Sequence, residues 1–335
     1  MKAWVLREHG PPEKAFRLEE ATDPEPREHQ VLLDIEGFGL NYADVMAARG
    51  LYREAPPLPS IIGYEVVGRV VGHGMDVPPD LMGKRVLALT RFGGYAEKAC
   101  SDHRAVQPIP EDMPLGTALS LGTQGCTAWY MSRYAVRLLP GMRVLVHSAA
   151  GGVGQLLVQL ALRSGCTVYA IAGGPEKRKH LKAMGAQYVI DRKAGDPYAQ
   201  LAGLLGQERL DVSFNAVAGS TFKKDMRLLG SGGSVVLFGG AERSGSGTLA
   251  FVWRMGLILP IFLMMKSKSI IGVNMLKLGD HRPQLMARCL GEVVEAARNG
   301  ELKPHVEAEL LFSDLPRAHE RLAAGGTMGK LAIRW

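Results

Sequence analysis

A chain of 335 residues is long enough for two domains with buried cores, and 47% apolar with 22% charged residues is the balance of a globular protein. A net charge of +7 without a long basic run leaves no electrostatic footprint for nucleic acid; the densest basic stretch, "EKRKHLK", reads as a solvated helix face. Cys100, Cys126, Cys166 and Cys289 are scattered, as reduced thiols are, and the opening "MKAWVLREHG" lacks the apolar region of a secretory leader, so a cytoplasmic protein is expected.

The first 120 or so residues read as β-rich. "KAWVL", "FRLEEA", "QVLLDIEGFGL", "EVVGRVVGHG" and "KRVLAL" are strand-like runs, and "PPEK", "DPEPRE" and "APPLPS" are the loops between them. Their irregular spacing predicts a folded-over barrel. After about residue 121 the pattern changes to strand and helix in alternation. "RVLVHS", "TVYAIAG", "QYVID", "DVSFNAV", "SVVLFGG" and "SIIGVN" are strands; "QLLVQLALRSG", "PEKRKHLKAMG", "DPYAQLAGLLG" and "STFKKDMRLLGSGG" are the helices among them. Alternation of this kind predicts a parallel sheet covered on both faces, with strands apolar nearly throughout. The tail from "PQLMARCLGEVV" onward returns to helix and strand and is expected to complete the first domain.

The turn "HSAAGGVG" joins the first strand of the alternating half to its first helix. Ala149, Ala150, Gly151, Gly152, Val153 and Gly154 form a dinucleotide fingerprint with Ala at its first position. A glycine triplet alone is a weak signal. Here it has a strand before it, a helix after it and a second strand following at once. The glycines let the backbone approach a pyrophosphate, and the helix start offers free N–H groups. The second strand then ends in Ala172, Gly173 and Gly174, where an NAD-binding fold places the carboxylate for the ribose 2′-hydroxyl. Lys177, Arg178 and Lys179 follow it, so NADPH (or NADP) is the expected cofactor.

The run "MGLILPIFLMM", Met255 to Met265, lies between the strands "SVVLFGG" and "SIIGVN", where a crossover belongs. Eleven helical residues would span about 16 Å, roughly half a hydrocarbon core, so no transmembrane span is expected. Pro260 would kink a helix there. The run is expected to pack on a sheet, an apolar substrate site or a second subunit. "SIIGVN", as the last strand, would leave an open edge that pairing in a homodimer would close.

"GLNYADVMAARGLY", "GGYAEKA", "HSAAGGVGQLLVQ" and "GKLAI" together resemble the medium-chain dehydrogenase/reductase superfamily, in its branch of zinc-independent quinone oxidoreductases. "FVWRMGLILPIFLMMKSKSIIGVNM" and "KPHVEAELLF" are similar to the vesicle amine transport protein sub-branch. The resemblance covers essentially the whole chain. It implies an α/β protein: a GroES-like catalytic domain, residues 1–121 with 275–335, and a Rossmann domain, residues 122–274, with a cleft between them and a dimeric assembly. Zinc members carry Gly-His-Glu where this chain has Gly63-Tyr64-Glu65, and no spaced run of cysteines exists here, so no metal is expected.

The resemblance also implies the site. Asn41 is expected beside the nicotinamide ribose or substrate, its amide donating to the substrate oxygen. Tyr52 is expected to line the substrate site and Thr127 to sit near the nicotinamide. Gly173, Lys177, Arg192, Val217, Phe238, Gly239 and Lys330 complete the expected cofactor contacts, with Arg192 standing where relatives have a Tyr beside the 2′-phosphate. Met46 stands where many have a second Tyr, which makes the substrate site less polar. The expected activity is metal-free, NADPH-dependent reduction of quinones or related conjugated carbonyls. A reductase of enal or enone C=C bonds is the first alternative. A lipid- or membrane-associated protein that keeps the nucleotide fold is the second.

Overall fold

The computed structural model describes residues 1–245 and 247–335. The chain divides into two compact units, Met1–Cys126 with Met275–Trp335, and Thr127–Asn274.

In the first unit the strands are β1 (Lys2–Leu6), β2 (Phe16–Glu20), β3 (Gln30–Leu40), β4 (Glu65–His73), β5 (Arg85–Leu89), β6 (Lys98–Asp102) and β7 (Val106–Pro108). The second unit follows with β8 (Arg143–Val146), β9 (Thr167–Ala172), β10 (Tyr188–Asp191), β11 (Leu210–Asn215), β12 (Leu229–Leu237) and β13 (Ser269–Gly272). The chain then returns to the first unit with β14 (Val306–Leu311) and β15 (Lys330–Arg334).

The first unit is built on a sheet of order β14-β15-β3-β4-β5-β7, with β6 paired to β3 and a separate β1–β2 ribbon. Alternation sets its inner face. Val31 and Leu33 of β3 are fully buried while Asp34 is exposed, the period of 2 of a strand with one face on a core. Phe16, Phe38 and Tyr95 fill that core, the rings of Phe38 and Tyr95 4.6 Å apart. The tail does complete this unit: β15 pairs antiparallel with β3, Leu331 opposite Leu40.

The second unit is a six-stranded sheet of order β10-β9-β8-β11-β12-β13, parallel at every pairing. Val144, Leu145, Val146, Val168, Ala170, Phe214, Val235 and Val236 show no exposed surface. Strands covered on both faces have to be apolar throughout. In chain order the sheet reads 3-2-1-4-5-6, the doubly wound arrangement whose ligand crevice lies at the carboxyl ends of the strands where the order reverses, here at β8 and β11.

Two expectations are corrected. "STFKKDMRLLGSGG" is not one helix: the helix Ser220–Leu228 ends and β12 begins at Leu229. Leu229 pairs with Leu210 but Ser234 with Val212, so the glycines between them form an irregularity inside the strand. Gly232 takes φ +82°, which only glycine adopts cheaply, and a helix loses stability at each of these glycines. The apolar run is likewise not one element. It divides between the helices Thr248–Met255 and Pro260–Lys266, with Pro260 at the first position of the second, where proline is tolerated. Neither helix has a buried residue. Leu257 is 87% exposed, Met264 70% and Met265 72%, so their own chain does not cover them; Met255 and Ile258 alone of the run pack on the sheet's core.

Candidate active site

In the second unit the site is built from the turn after β8. Ser148 takes φ +50° and the helix Gly152–Arg163 starts from Gly151 with no side chain capping it. Its first-turn N–H groups therefore keep their donors for a ligand. A side chain at Gly154 would collide with the Ser148 carbonyl oxygen and approach Ala149 Cα to 2.8 Å, which makes the third glycine a packing requirement. Ala149 and Ala150 are buried. Gly152 and Val153 are the helix's first two residues.

Next to that turn, β9 ends at Ala172 and is followed by Gly173, with no carboxylate of its own. Arg192, directly after β10, lies across Gly173: a Cβ there would meet its Nε at 2.8 Å. Lys177 is in the first turn of the helix Pro175–Ala183. Asp191 does bring a carboxylate to this corner, yet it is occupied. The Lys193 amide donates to it at 2.9 Å and holds its carboxyl below the usual range, and Arg178 pairs with it at 3.3 Å.

Val217 follows β11, and Phe238 and Gly239 follow β12, all at carboxyl ends of strands. The Val217 turn is held from behind by a buried network that the sequence did not single out. Asn215 Oδ1 accepts from the amides of Val217 and Ala218, each at 2.8 Å, while its Nδ2 donates to Asp225 at 2.6 Å. Tyr198 donates to Asp225 at 2.6 Å and Ser213 at 2.8 Å, and His147 Nε2 lies 3.0 Å away. Burial alone would raise the Asp225 carboxyl; the nearby His147 and these hydrogen bonds outweigh it and hold the group lowered. Thr127 is buried in the helical turn Cys126–Trp129.

The first unit holds Asn41, Tyr52 and Lys330. Asn41 Nδ2 donates to Glu65 Oε1 at 2.8 Å. Lys330 forms a fully buried ion pair with the same oxygen and also donates to the Leu40 carbonyl at 3.2 Å and to Asn41 Oδ1 at 3.3 Å. The Thr123 amide donates to Glu65 Oε2. Gly39 and Gly122 leave the room: a side chain on either would run into Glu65. Glu65 Oε1, the Leu40 carbonyl and Asn41 Oδ1 engage the three N–H donors of the Lys330 ammonium. The Asn41 amide is oriented by Glu65 and Lys330, and one of its two Nδ2 hydrogens goes to Glu65. Tyr52 packs edge-on to Tyr64, ring centroids 6.0 Å apart, and Tyr64 packs on Phe92 at 5.3 Å.

The same unit contains a buried carboxyl, Asp44, in the first turn of the helix Tyr42–Ala48. The Asn41 amide donates to its Oδ2 at 2.7 Å. Burial pushes Asp44 up to about 8 against that hydrogen bond. Tyr95 is within 3.1 Å of His319 Nε2, and burial drives His319 down to about 3.

A GroES-like β unit together with a doubly wound dinucleotide sheet defines a medium-chain dehydrogenase/reductase. Residues 27–143 match the alcohol dehydrogenase GroES-like domain family and residues 152–291 the zinc-binding dehydrogenase family. The chain is 30% identical to the quinone oxidoreductase of Rattus norvegicus, over 99% of this chain and 97% of that protein. It superposes on the quinone oxidoreductase of Thermus thermophilus, solved also in complex with NADPH, with a TM-score of 0.81 and 30% identity over 100% of both chains. It superposes on the human synaptic vesicle membrane protein VAT-1 homolog-like protein with a TM-score of 0.86 and 27% identity, over 100% of this chain and 98% of that one. The chain belongs to the quinone oxidoreductase family of the medium-chain dehydrogenases/reductases, and is an oxidoreductase by that membership.

The zinc in the second family's description does not fit these residues. Tyr64 precedes Glu65 where a ligand His would stand, Glu65 is neutralised by Lys330, and among the described residues no three His, Cys, Asp or Glu side chains converge. A site of this composition provides no tetrahedral N/S ligand set.

Proposed function

We propose that the chain reduces quinones or related conjugated carbonyls with NADPH, without a metal. The observation that carries this reading is Arg192 lying across Gly173, at the strand end where an NAD-specific site would have its own carboxylate. Arg192 and Lys177 hold the 2′-phosphate as charged donors. The turn Ala149–Gly154 and the uncapped helix start receive the pyrophosphate, and Val217, Phe238 and Gly239 border the nicotinamide end of the same strand edge. Bound NADPH supplies the hydride. The aromatic group Tyr52, Tyr64 and Phe92 receives a flat, weakly polar acceptor. The quinone oxidoreductases at about 30% identity and the NADPH complex of the Thermus thermophilus protein support this reading.

The test is NADPH oxidation over a panel of quinones and enals. Turnover with quinones supports the reading. Turnover with enals alone assigns the C=C reductase instead. Neither, with membrane pelleting, would favour the lipid-associated alternative, for which the exposed helices Thr248–Met255 and Pro260–Lys266 are the specific observation. Among the described residues no single helix is long and apolar enough to cross a membrane; these two pass that test only as a pair, bent by 42°.

The working unit in this proposal is a homodimer. β13 is the edge of the six-stranded sheet, with Ile270 and Ile271 only half-buried, and the exposed apolar helices immediately precede it. An open apolar edge beside an apolar surface is what a two-fold partner covers.

A further inference from the structure

One buried hydroxyl of the first unit has no task in the proposed function. Tyr64 is 4% exposed, and its hydroxyl has no hydrogen-bond partner. Its neighbour in sequence cannot serve it, because the Glu65 carboxylate is taken up by Asn41, Lys330 and the Thr123 amide. A buried hydroxyl left unpaired costs about 1–3 kcal/mol, so an orphan of this kind marks a place that another oxygen completes. The surroundings fit a flat conjugated molecule. Tyr52 stands edge-on to the Tyr64 ring and Phe92 lies against it. Tyr52 is only partly buried, so this aromatic group reaches solvent on its side.

We propose that the Tyr64 hydroxyl is the hydrogen-bond donor to the substrate's carbonyl oxygen, the role that the sequence assigns to Asn41. The proposal rests on the carbonyl-reductase reading. In the step, a hydride brings two electrons to the conjugated acceptor, the displaced π pair settles on the carbonyl oxygen, and Tyr64 O–H donates to that oxyanion. Water then supplies the proton, giving substrate plus hydride plus one proton as reduced product. Tyr64 keeps its own proton throughout: burial first, and the Asp44 carboxyl second, push its phenol far above its ordinary value. It therefore acts by stabilising charge and does not act as a general acid.

The experiment compares wild type, Tyr64→Phe and Tyr52→Phe in three measurements. These are binding of 1,4-naphthoquinone in the presence of NADP, read by tryptophan fluorescence; NADPH oxidation with 1,4-naphthoquinone; and the thermal midpoint. Tyr64→Phe should weaken naphthoquinone binding about tenfold, the size of one lost hydrogen bond. It should lower kcat/KM by roughly 100-fold, as removal of an oxyanion donor does, while NADPH affinity holds. Its thermal midpoint should hold or rise, since the oxygen removed touches no protein group. Unchanged binding and turnover overturn the proposal. So does a lowered midpoint with turnover intact, which would mean that Tyr64 and the equally unpartnered Asp44 Oδ1 share a buried water. A loss that follows Tyr52→Phe and spares Tyr64→Phe moves the donor to Tyr52. Wild type that binds naphthoquinone through Tyr64 but oxidises NADPH with neither quinones nor enals leaves the site standing and removes the reductase reading. No naphthoquinone binding by the wild type removes both.

Discussion

In the proposed function Arg192 carries the cofactor choice at the level of a single side chain. Its guanidinium is planar and permanently charged, which suits a phosphate, and Asp191 beside it is already held by Arg178 and the Lys193 amide. Removing one charge-assisted bond to phosphate costs about 1.5–3 kcal/mol, or roughly 10- to 150-fold in affinity. Lys177→Ala and Arg192→Ala are each expected to weaken NADPH by that order and to leave NADH nearly unchanged, as followed by fluorescence titration. Equal loss for both cofactors would remove the 2′-phosphate assignment. Asp44 gives a second residue-scale expectation. With its carboxyl raised to about 8, the folded chain keeps a proton that the unfolded chain releases near pH 4. Stability therefore falls as pH rises across that window and levels off above it. His319, lowered to about 3, acts in the other direction: stability falls as pH drops from about 6.5 towards 3. Asp44→Asn keeps an acceptor for the Asn41 amide and removes the first dependence. Its thermal midpoint should exceed that of wild type at pH 8 and match it at pH 4.

At the scale of elements, the turn between β8 and its helix is the most constrained piece of backbone in the cofactor half. Gly154→Ala places a methyl against the Ser148 carbonyl and Ala149, so the turn has to open before the protein can bind dinucleotide. NADPH affinity should drop at least about tenfold, equivalent to about 1.4 kcal/mol, and the thermal midpoint should fall as well, because the methyl strains the folded turn. The two apolar helices show a different kind of constraint. Trp253 is 85% exposed and Leu257 87%, on segments that carry Arg254, Lys266 and Lys268 and no acidic residue. Their composition reads as a buried element, but the chain's own fold leaves them uncovered.

At the scale of the whole molecule, a second copy covers those helices in the reading proposed here. Light scattering at micromolar concentration should give twice 36.2 kDa. Leu257→Ser with Phe262→Ser should shift the mass towards the monomer while NADPH binding persists. A wild-type monomer that pellets with vesicles would overturn the dimer and favour the lipid surface.

What the sequence by itself determined is what local spacing carries. Strand runs such as "RVLVHS" and "SIIGVN", the helix after "AAGGVG" and the alternation of strand and helix were legible, because a strand, a tight turn and a helix start are each specified by residues a few positions apart, whereas the lateral order of the strands came from the fold. The glycine turn of the cofactor site belongs to that class. Tertiary structure decided the rest. Only the fold brings Lys330 265 positions back to Glu65, and only the fold shows that the same pair orients the Asn41 amide. His147 and Asp225, 78 residues apart, and the orphaned hydroxyl of Tyr64 carry no local pattern at all. Charge pairing and the satisfaction of buried hydrogen bonds depend on which distant strands become neighbours, and periodicity along the chain does not encode that.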